Sequence, residues 1–197
     1  GVSLPSGLQT LTLGRDFNQR LDGVSLPTGL QSLTFGHTFN QMLEPVQFPQ
    51  GLTALTLGKA FNQSLEGVSF PSSLQDLTFG HDFNRSLDGV RFPTGLKTLT
   101  FGHDFDQRLD GVKLPAGLKN LNFGHCYNQS LDGVSLPSGL QDLTFGYHFN
   151  QKLGNGAIFP SCLRTLRLGR SFQQSLDGLE LPSTLECLCI PPVLVTW

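Results

Sequence analysis

The sequence has few charged residues and no long apolar run, and both shortages exclude classes of protein. Charged residues make up 14% of the 197 residues, and the formal net charge is −2. No basic face that would bind nucleic acid is therefore expected. No stretch approaches 18 consecutive apolar residues, so no membrane insertion is expected either. Alanine is scarce and helix-forming residues are thinly spread, which argues against a helical repeat.

Cysteine is also scarce. The four cysteines, Cys126, Cys162, Cys187 and Cys189, do not recur at a regular spacing, so they do not form a disulfide framework. Cys187 and Cys189 lie two apart on one predicted strand, which is poor disulfide geometry, and they lack the CxxC spacing of a zinc site. Free thiols favour a reducing compartment and hence an intracellular location.

What the sequence does contain is a repeat, marked by nine prolines. These are Pro5, Pro27, Pro49, Pro71, Pro93, Pro115, Pro137, Pro160 and Pro182. Their spacing is 22 residues, with one step of 23 between Pro137 and Pro160. A period of this length is typical of a solenoid. We predict one repeat domain over residues 1–190, with coils that start near residues 1, 23, 45, 67, 89, 111, 133, 155 and 178.

Residues 89–110 serve as the type unit. Lys97–Phe101 alternates polar with apolar residues, which predicts a strand with one buried face. Gly102 ends this strand, and a glycine there indicates either unusual backbone angles or a close approach of neighbouring backbone. The return segment, Gly89–Pro93, contains proline and has no helical period, so it is expected to be extended. The fold class is therefore mainly β, a parallel β-solenoid of nine 22-residue coils with little or no α-helix.

Two motifs carry a resemblance to known families. Leu8-x-x-Leu11-x-Leu13 resembles the strand motif of the leucine-rich repeats. Residues 33–43, Leu-Thr-Phe-Gly-His-Thr-Phe-Asn-Gln-Met-Leu, are similar to the FNIP repeat, a 22-residue relative of those repeats. The likeness covers residues 1 to about 176 and implies a right-handed solenoid of the leucine-rich-repeat type.

The resemblance also implies a buried asparagine ladder that satisfies backbone groups at the turn. Its members would be Asn18, Asn40, Asn62, Asn84, Asn128 and Asn150. Asp106 and Gln173 depart from the pattern, and a strained or wetter coil is expected at Asp106. Asn62, Asn84 and Asn128 also begin glycosylation sequons. A glycan in a buried ladder would block folding, so these sequons favour an intracellular location as well.

An aromatic column runs beside the ladder and predicts a stacked spine in the core. It comprises Phe17, Phe39, Phe61, Phe83, Phe105, Tyr127, Phe149 and Phe172.

The ends and one seam depart from the repeat. Gly154–Gly156 carries the extra residue and predicts a loop or bulge. Residues 191–197 are interpreted as a C-terminal cap. No comparable cap precedes Gly1, and natural proteins rarely leave a strand edge naked. We therefore expect a missing N-terminal segment or a partner to cover the first coil.

The outward face of the strands is the main candidate surface, because threonines recur on it and charged residues interrupt them irregularly. The candidate partner-binding residues are Asp76, Lys97, Thr98, Thr100, Lys119, Asn122, Asp142, Thr144, Arg164 and Arg167. The structural alternative is a solvent face that is rich in residues with high β-propensity. A regular threonine array also suggests ice binding, which the charged residues do not favour.

A second column lies just past each strand and is rich in histidine. Its candidates for a rim contact are His37, His81, His103 and His125. The alternatives are a polar rim that pairs with neighbouring aspartates, a contact with an anion or a partner, and a metal site. Parallel stacked side chains rarely supply converging ligands, so no metal and no cofactor are predicted.

Two further columns receive structural interpretations. The acidic column comprises Asp22, Glu44, Glu66, Asp88, Asp110, Asp132 and Asp177. Glycine follows most of them, which indicates turn chemistry, and the spacing of a calcium loop is absent. Arg91 or Lys113 would relieve the repulsion between these acids. The variable column of Arg20, Met42, Ser64, Ser86, Arg108, Ser130, Lys152 and Ser175 is interpreted as plain solvent surface.

No catalytic constellation emerges from the sequence: there is no nucleophile elbow, phosphate loop or HExxH motif, and no catalytic residue is assigned. The hypothesis is a non-enzymatic scaffold that holds a protein partner on its strand face, or a structural subunit of a larger assembly. The alternatives are an ice-binding protein and a cell-surface adhesion or recognition module.

Overall fold

Nine short parallel strands form one continuous sheet in this protein. The structure is a computed structural model that describes residues 4–153 and 159–191. The strands are β1 (Thr10–Thr12), β2 (Ser32–Thr34), β3 (Ala54–Thr56), β4 (Asp76–Thr78), β5 (Thr98–Thr100), β6 (Asn120–Asn122), β7 (Asp142–Thr144), β8 (Thr165–Arg167) and β9 (Cys187–Cys189). Their order in the sheet is their order in the chain. The described residues contain no helix. They therefore include no helix that is long and apolar enough to cross a membrane.

Each strand pairs with the next in exact repeat register. Leu99 lies opposite Leu121, 22 residues later, and Leu143 lies opposite Leu166, 23 residues later, across the seam. The predicted parallel β-solenoid is therefore confirmed. Its right-handed sense and its domain limits stay predictions. The predicted loop at Gly154–Gly156 and, apart from Pro191, the predicted cap lie outside the described residues.

The strands are shorter than the alternation of polar and apolar residues predicts. The predicted strand Lys97–Phe101 is reduced to Thr98–Thr100. The backbone N–H groups of Lys97 and Thr98 both donate to the carbonyl of Gln75, at 2.8 and 2.9 Å. Two donors on one acceptor mark the end of a regular ladder, so Lys97 lies in the segment just before β5.

The core is built from two stacked columns. The middle residue of each strand is a leucine whose side chain is turned inward, and from β2 to β8 it is at most 1% exposed. The aromatic column lies in the same core, and successive rings are 6.0–6.3 Å apart. In five coils a second phenylalanine stacks on the column, as Phe101 does on Phe105 at 3.9 Å. The predicted aromatic spine is confirmed.

From β2 to β8, the glycine after each strand is required by close packing of backbone. A Cβ atom built on Gly102 would lie 1.6 Å from the carbonyl oxygen of Gly80, and one on Gly124 would lie 1.5 Å from that of Gly102. No side chain fits there, since real Cβ atoms keep about 3 Å or more from such atoms. Positive φ values occur instead in the acidic turns, as at Gly89 with φ 73°. Of the two interpretations of Gly102, close approach is correct.

The asparagine ladder exists, but it is half-buried or exposed and not fully buried as predicted. The Oδ1 atom of each asparagine accepts the backbone N–H of the equivalent residue in the next coil, at 2.8–3.0 Å. In most coils it also accepts the side-chain amide of the following glutamine, as from Gln107 to Asn84 at 2.7 Å. The ladder runs along the rim of the coils, where its side chains keep some contact with solvent.

Asp106 fits the ladder without the predicted disruption. Its Oδ1 atom accepts the backbone N–H of Asn128 at 2.8 Å and the side-chain amide of Gln129 at 3.0 Å. These are the bonds that an asparagine makes in the other coils. The ladder uses the side chain as an acceptor, and a carboxylate is also an acceptor.

The one tyrosine of the aromatic column buries a hydroxyl group. Tyr127 is 0% exposed, and its hydroxyl has no hydrogen-bond partner among the described residues. Burial raises the pKa of this phenol above its ordinary value. An unpaired buried hydroxyl is destabilising, and equivalent coils carry phenylalanine at this position.

Replacing Tyr127 with phenylalanine should therefore stabilise the protein. We expect Tyr127→Phe to raise the free energy of unfolding by about 1–3 kcal/mol, because the ring stays and the unpaired hydroxyl leaves. Equilibrium unfolding in urea would show a higher midpoint with an unchanged slope. The matched control is Phe105→Tyr in the preceding coil, which should lower the midpoint. A lower midpoint for Tyr127→Phe would show that the hydroxyl is satisfied.

Candidate functional site

The strand face is a floor of small polar side chains from which charged side chains project. Thr98, Thr100, Asn122 and Thr144 are half-buried on this face. They contact one another along the sheet, as where the Nδ2 atom of Asn122 donates to Oγ1 of Thr100 at 3.2 Å. Equivalent residues repeat at the strand spacing of about 4.8 Å. The floor is thus regular and held in register by the sheet beneath it.

The charged candidates fall into two rows. Asp76, Asp142 and Arg167 lie on strands, and of these Asp142 is half-buried while the other two are exposed. Lys97 and Lys119 are exposed and lie one residue before β5 and β6. They border the strand face from the segment just before each strand and do not occupy the strand positions that the sequence predicts, because the strands begin one residue later.

Arg164 belongs to the bordering row and has a neighbour of opposite charge. Its Nη1 atom lies 3.2 Å from Oε1 of Glu186 in the next coil. Both side chains are more than half exposed, so the pair adds little to stability. Beside them is a hollow of about 220 Å³, lined also by Gln141, Cys162 and Thr184. This is the part of the strand face where charge and a concave surface coincide.

The histidine rim is fixed by backbone hydrogen bonds between coils. The N–H of Asp104 donates to the carbonyl of His81 at 2.9 Å, and the N–H of Cys126 donates to that of His103 at 2.8 Å. These bonds join residues that are 23 apart in sequence. A rim residue such as His103 therefore lies beside Cys126, the residue that follows His125 in the next coil. His81 is placed next to Asp104 in this way.

Three imidazole rings of the rim stack face to face. The centroids of His81 and His103 are 4.3 Å apart, and those of His103 and His125 are 4.5 Å apart. Tyr147 continues the stack at 4.9 Å from His125. Desolvation, with smaller effects of the charges of His103 and His148, lowers the pKa of His125. His37 stands apart from this stack, because Lys59 occupies the rim position between it and His81.

Two aspartates bind the Nδ1 atoms of the stacked histidines. The Nδ1 atom of His81 lies 2.7 Å from Oδ1 of Asp82 and 3.6 Å from Oδ2 of Asp104. The Nδ1 atom of His103 lies 2.6 Å from Oδ1 of Asp104. The carboxylate of Asp104 therefore lies between two imidazoles. The predicted pairing of the rim with its aspartates is observed here.

Cys126, His103 and Asp104 come together but do not have the geometry of a catalytic triad. The Sγ atom of Cys126 lies 3.7 Å from Nδ1 of His103, the same nitrogen that contacts Asp104. A triad uses the two nitrogens of the imidazole for its two partners. Burial, with smaller effects of Asp104 and Asp106, raises the pKa of the Cys126 thiol. A nucleophilic cysteine needs a lowered pKa.

The acidic column is a column of turns, as predicted. Each turn closes through a backbone hydrogen bond such as that from Val90 to Leu87 at 3.1 Å. The repulsion between the acids is relieved within the described residues by Arg20 and Arg108, which lie 2.5 Å from Asp22 and 2.7 Å from Asp110. Among the described residues, neither of the predicted partners, Arg91 and Lys113, forms an ion pair with these acids within 4.0 Å. The hydrogen bond from Arg108 lowers the pKa of Asp110.

The variable column is not plain solvent surface, because its serines cap these turns. The Oγ atom of Ser86 accepts the backbone N–H of Asp88 at 3.1 Å, and Ser130 binds Asp132 in the same way at 3.0 Å. Serine hydroxyls often bind backbone two residues on, which is the signal that could have revealed this role.

The first coil leaves apolar side chains accessible. Leu11, Leu13 and Phe17 are half-buried, while their equivalents in the inner coils are buried. They help to line an open hollow of about 310 Å³. β1 pairs with β2 alone among the described strands. A Cβ atom built on Gly14 meets no described atom within 4 Å, although the equivalent glycines are tightly packed.

Comparisons with known proteins agree with this architecture. The sequence profile of the family described as FNIP Repeat matches residues 1–38, 39–82, 83–126 and 127–158. No significant match is found among curated proteins.

Two solved structures are similar to the chain. CroV588, described as a novel circular LRR protein structure, is 35% identical with a TM-score of 0.81, over 92% of this chain and 30% of that chain. This chain thus spans about 30% of the length of CroV588. YopM from Yersinia enterocolitica WA-314 is 18% identical with a TM-score of 0.44, over 96% of this chain and 52% of that chain, and supports no argument on function.

Proposed function

The chain belongs to the FNIP repeat family, and we propose that it is a non-catalytic scaffold that holds a protein partner on its strand face. Repeats of this kind generally mediate protein interactions and are typically non-catalytic. The observation that carries the proposal is the rigid floor with charged groups at irregular positions. A regular floor supplies shape, and the irregular charges supply specificity.

The charge pattern describes the partner. Along the sheet the charges run from Asp76 through Lys97 and Lys119 to Asp142, then to Arg164 and Arg167, and end at Glu186, which pairs with Arg164. A complementary surface would carry acidic groups opposite the central lysines and again opposite the two arginines. The hollow beside Arg164 would take one side chain of the partner. The rim histidines His37, His81, His103 and His125 would make secondary contacts at the border of this face.

The non-catalytic part of the proposal is supported by the rim chemistry. Cys126 lies 3.7 Å from a nitrogen of His103, and both its raised pKa and its position relative to that ring are unsuitable for attack. Three hollows lined by described residues are open to solvent, which suits contact surfaces better than enclosed chemistry.

Charge reversal on the strand face should abolish partner binding. We expect the variant Lys97→Glu, Lys119→Glu, Arg164→Glu and Arg167→Glu to lose at least about a hundredfold in affinity, since like charges in an interface cost several kcal/mol. The partner is first captured from an extract of the producing cells with the parent protein. Its affinity for both proteins is then measured by calorimetry.

The matched control reverses four exposed charges outside both this face and the histidine rim, at Arg85, Arg91, Lys113 and Lys152. It changes the net charge by the same amount, so it separates a local contact from general electrostatics. Equal loss in both variants would contradict the proposed site. Unchanged binding by the face variant would move the site to the histidine rim or to the first coil.

We also propose that a further coil of the same kind stacks on the first coil. The support is Gly14, which nothing in the described residues requires to be glycine. In the inner coils the equivalent glycine is needed because the preceding coil packs on it. The half-buried Leu11 and Phe17 present the apolar surface that such a coil would cover.

Ice binding is not proposed, although threonines do align along the sheet. Asp76 and Arg167 lie on strands within the array and are exposed, and a surface that matches ice would not carry them. Recognition at a cell surface stays a prediction, as does the intracellular alternative.

A further inference from the structure

The histidine rim gathers metal-binding groups from two adjacent coils. One nitrogen of His81, one nitrogen of His103 and a carboxylate oxygen of Asp104 all lie within 4.8 Å of one another. The three side chains are about 41–42% exposed, so an ion can reach them from solvent. In the proposed partner binding His81 and His103 make only secondary contacts, and metal binding is a separate property of the cluster.

The distances suit a small divalent ion. Zinc binds histidine nitrogen at about 2.0–2.1 Å and carboxylate oxygen at about 2.0–2.2 Å. Around a tetrahedral ion with such bond lengths, two ligand atoms are about 3.4 Å apart. The largest separation in the cluster must therefore contract by up to about 1.4 Å, and half-exposed side chains have the rotamer freedom to do so. Because the two rings are parallel within 3°, one ring must also tilt so that both lone pairs meet at the ion.

The backbone holds the ligands in place before an ion arrives. The hydrogen bond from Asp104 N to His81 O, at 2.9 Å, fixes the two coils at this point. The Asp104 carboxylate already lies against both imidazoles, at 2.6 Å and 3.6 Å. Asp82 adds a second carboxylate beside His81. Such a set of two imidazoles and a carboxylate, open to water, is typical of sites for divalent transition metals.

We propose that His81, His103 and Asp104 bind one divalent transition metal ion of the zinc type. The ion replaces the protons that join the imidazoles to the carboxylates, and water completes its coordination. Because its ligands come from two coils, the ion cross-links them. Bound metal therefore raises the unfolding temperature of the protein by mass action.

The test is metal titration of the full, untagged chain. Zinc binding is measured by calorimetry, and Co²⁺ replaces zinc to give a visible absorption band that reports imidazole and carboxylate ligands. We expect one ion per chain and a zinc-dependent rise in unfolding temperature. His103→Ala and Asp104→Asn should each lower the affinity at least about tenfold, since removal of even an outer-shell partner costs 10–100-fold.

Two controls decide the assignment. His37→Ala removes a histidine of the same column that lies outside the stack, and it should bind zinc as the parent does. Cys126→Ser removes the thiol 3.7 Å from His103 and should also keep the affinity. The proposal is overturned by parent-like affinity in His103→Ala and Asp104→Asn, by loss of binding in Cys126→Ser, or by absence of zinc binding in the parent.

Discussion

Replacing Gly102 with alanine should destabilise the protein by at least about 3 kcal/mol, while the same change at Gly14 should leave its stability within about 0.5 kcal/mol. Both glycines occupy the same position of the repeat. Gly102 has Gly80 packed against it, whereas no described atom lies within 4 Å of the Cβ position of Gly14. The pair of substitutions therefore separates the effect of packing from the effect of residue type.

The reason for the large effect is contact between backbones. A Cβ on Gly102 would lie 1.6 Å from the carbonyl oxygen of Gly80 and 2.5 Å from its carbonyl carbon. Neither atom is the end of a flexible side chain, so the two coils must move apart. Neighbouring coils provide most of each other's stability in a solenoid, and separation at one interface weakens the units on both sides.

Urea unfolding of the two variants measures this difference. The midpoint for Gly102→Ala should fall strongly, and its transition should broaden if the solenoid divides at the damaged interface. Gly14→Ala should match the parent or exceed it slightly, because alanine restricts the unfolded chain and φ at Gly14 is outside the left-handed region. Similar decreases in the free energy of unfolding of both variants would show that the conformational freedom of glycine, and not coil packing, determines the destabilisation.

Features that repeat at a spacing of 22 residues were predictable from the sequence. The strands and the leucine and aromatic columns each follow from placing residue i over residue i+22, as with Leu99 and Leu121. The fold follows from that single operation. The asparagine ladder was predicted from the resemblance to the FNIP repeat. The ends of the strands did not follow: the strand predicted over Lys97–Phe101 is one residue longer at each end than the observed Thr98–Thr100.

Contacts at a spacing of 23 residues were missed, and they make up much of the candidate chemistry. The proximity of Asp104 to His81, of Cys126 to His103 and of Gln107 to Asn84 joins residues of neighbouring columns. These pairs depend on the offset of the backbone between coils and on the rotamer of each side chain. Comparing equivalent residues of successive repeats reveals neither the backbone offset nor the rotamers.

The choice between the two interpretations of the repeated glycines also needed the structure. Both a positive φ and a close backbone approach require glycine, and the sequence shows only the residue. The structure assigns the first reason to Gly89 and its equivalents, and the second to Gly102 and its equivalents in the coils after the first. This division makes substitutions at Gly102 a probe of coil packing.

Replacing Phe105 with alanine should cost about 3–5 kcal/mol, the usual range for loss of a buried aromatic ring. Phe105 is 0% exposed. It stacks on Phe101 at 3.9 Å in its own coil, and on Phe83 and Tyr127 at 6.0 and 6.1 Å in the adjacent coils. Its loss leaves a cavity enclosed on three sides, which a rigid stack of coils cannot close by collapse.

The loss should be local before it becomes global, because contacts in a solenoid join only neighbouring coils. Hydrogen exchange of Phe105→Ala should therefore accelerate in β4, β5 and β6 and stay near the parent rate in β1 and β2. The comparison variant is Phe17→Ala in the half-buried first coil, which should cost less. Lys97 and Lys119 border β5 and β6, so loss of structure in these strands should displace both lysines. Partner affinity should therefore fall in Phe105→Ala, although the charges of the strand face are unchanged. Uniform acceleration in all strands would instead show that the solenoid opens as one cooperative unit.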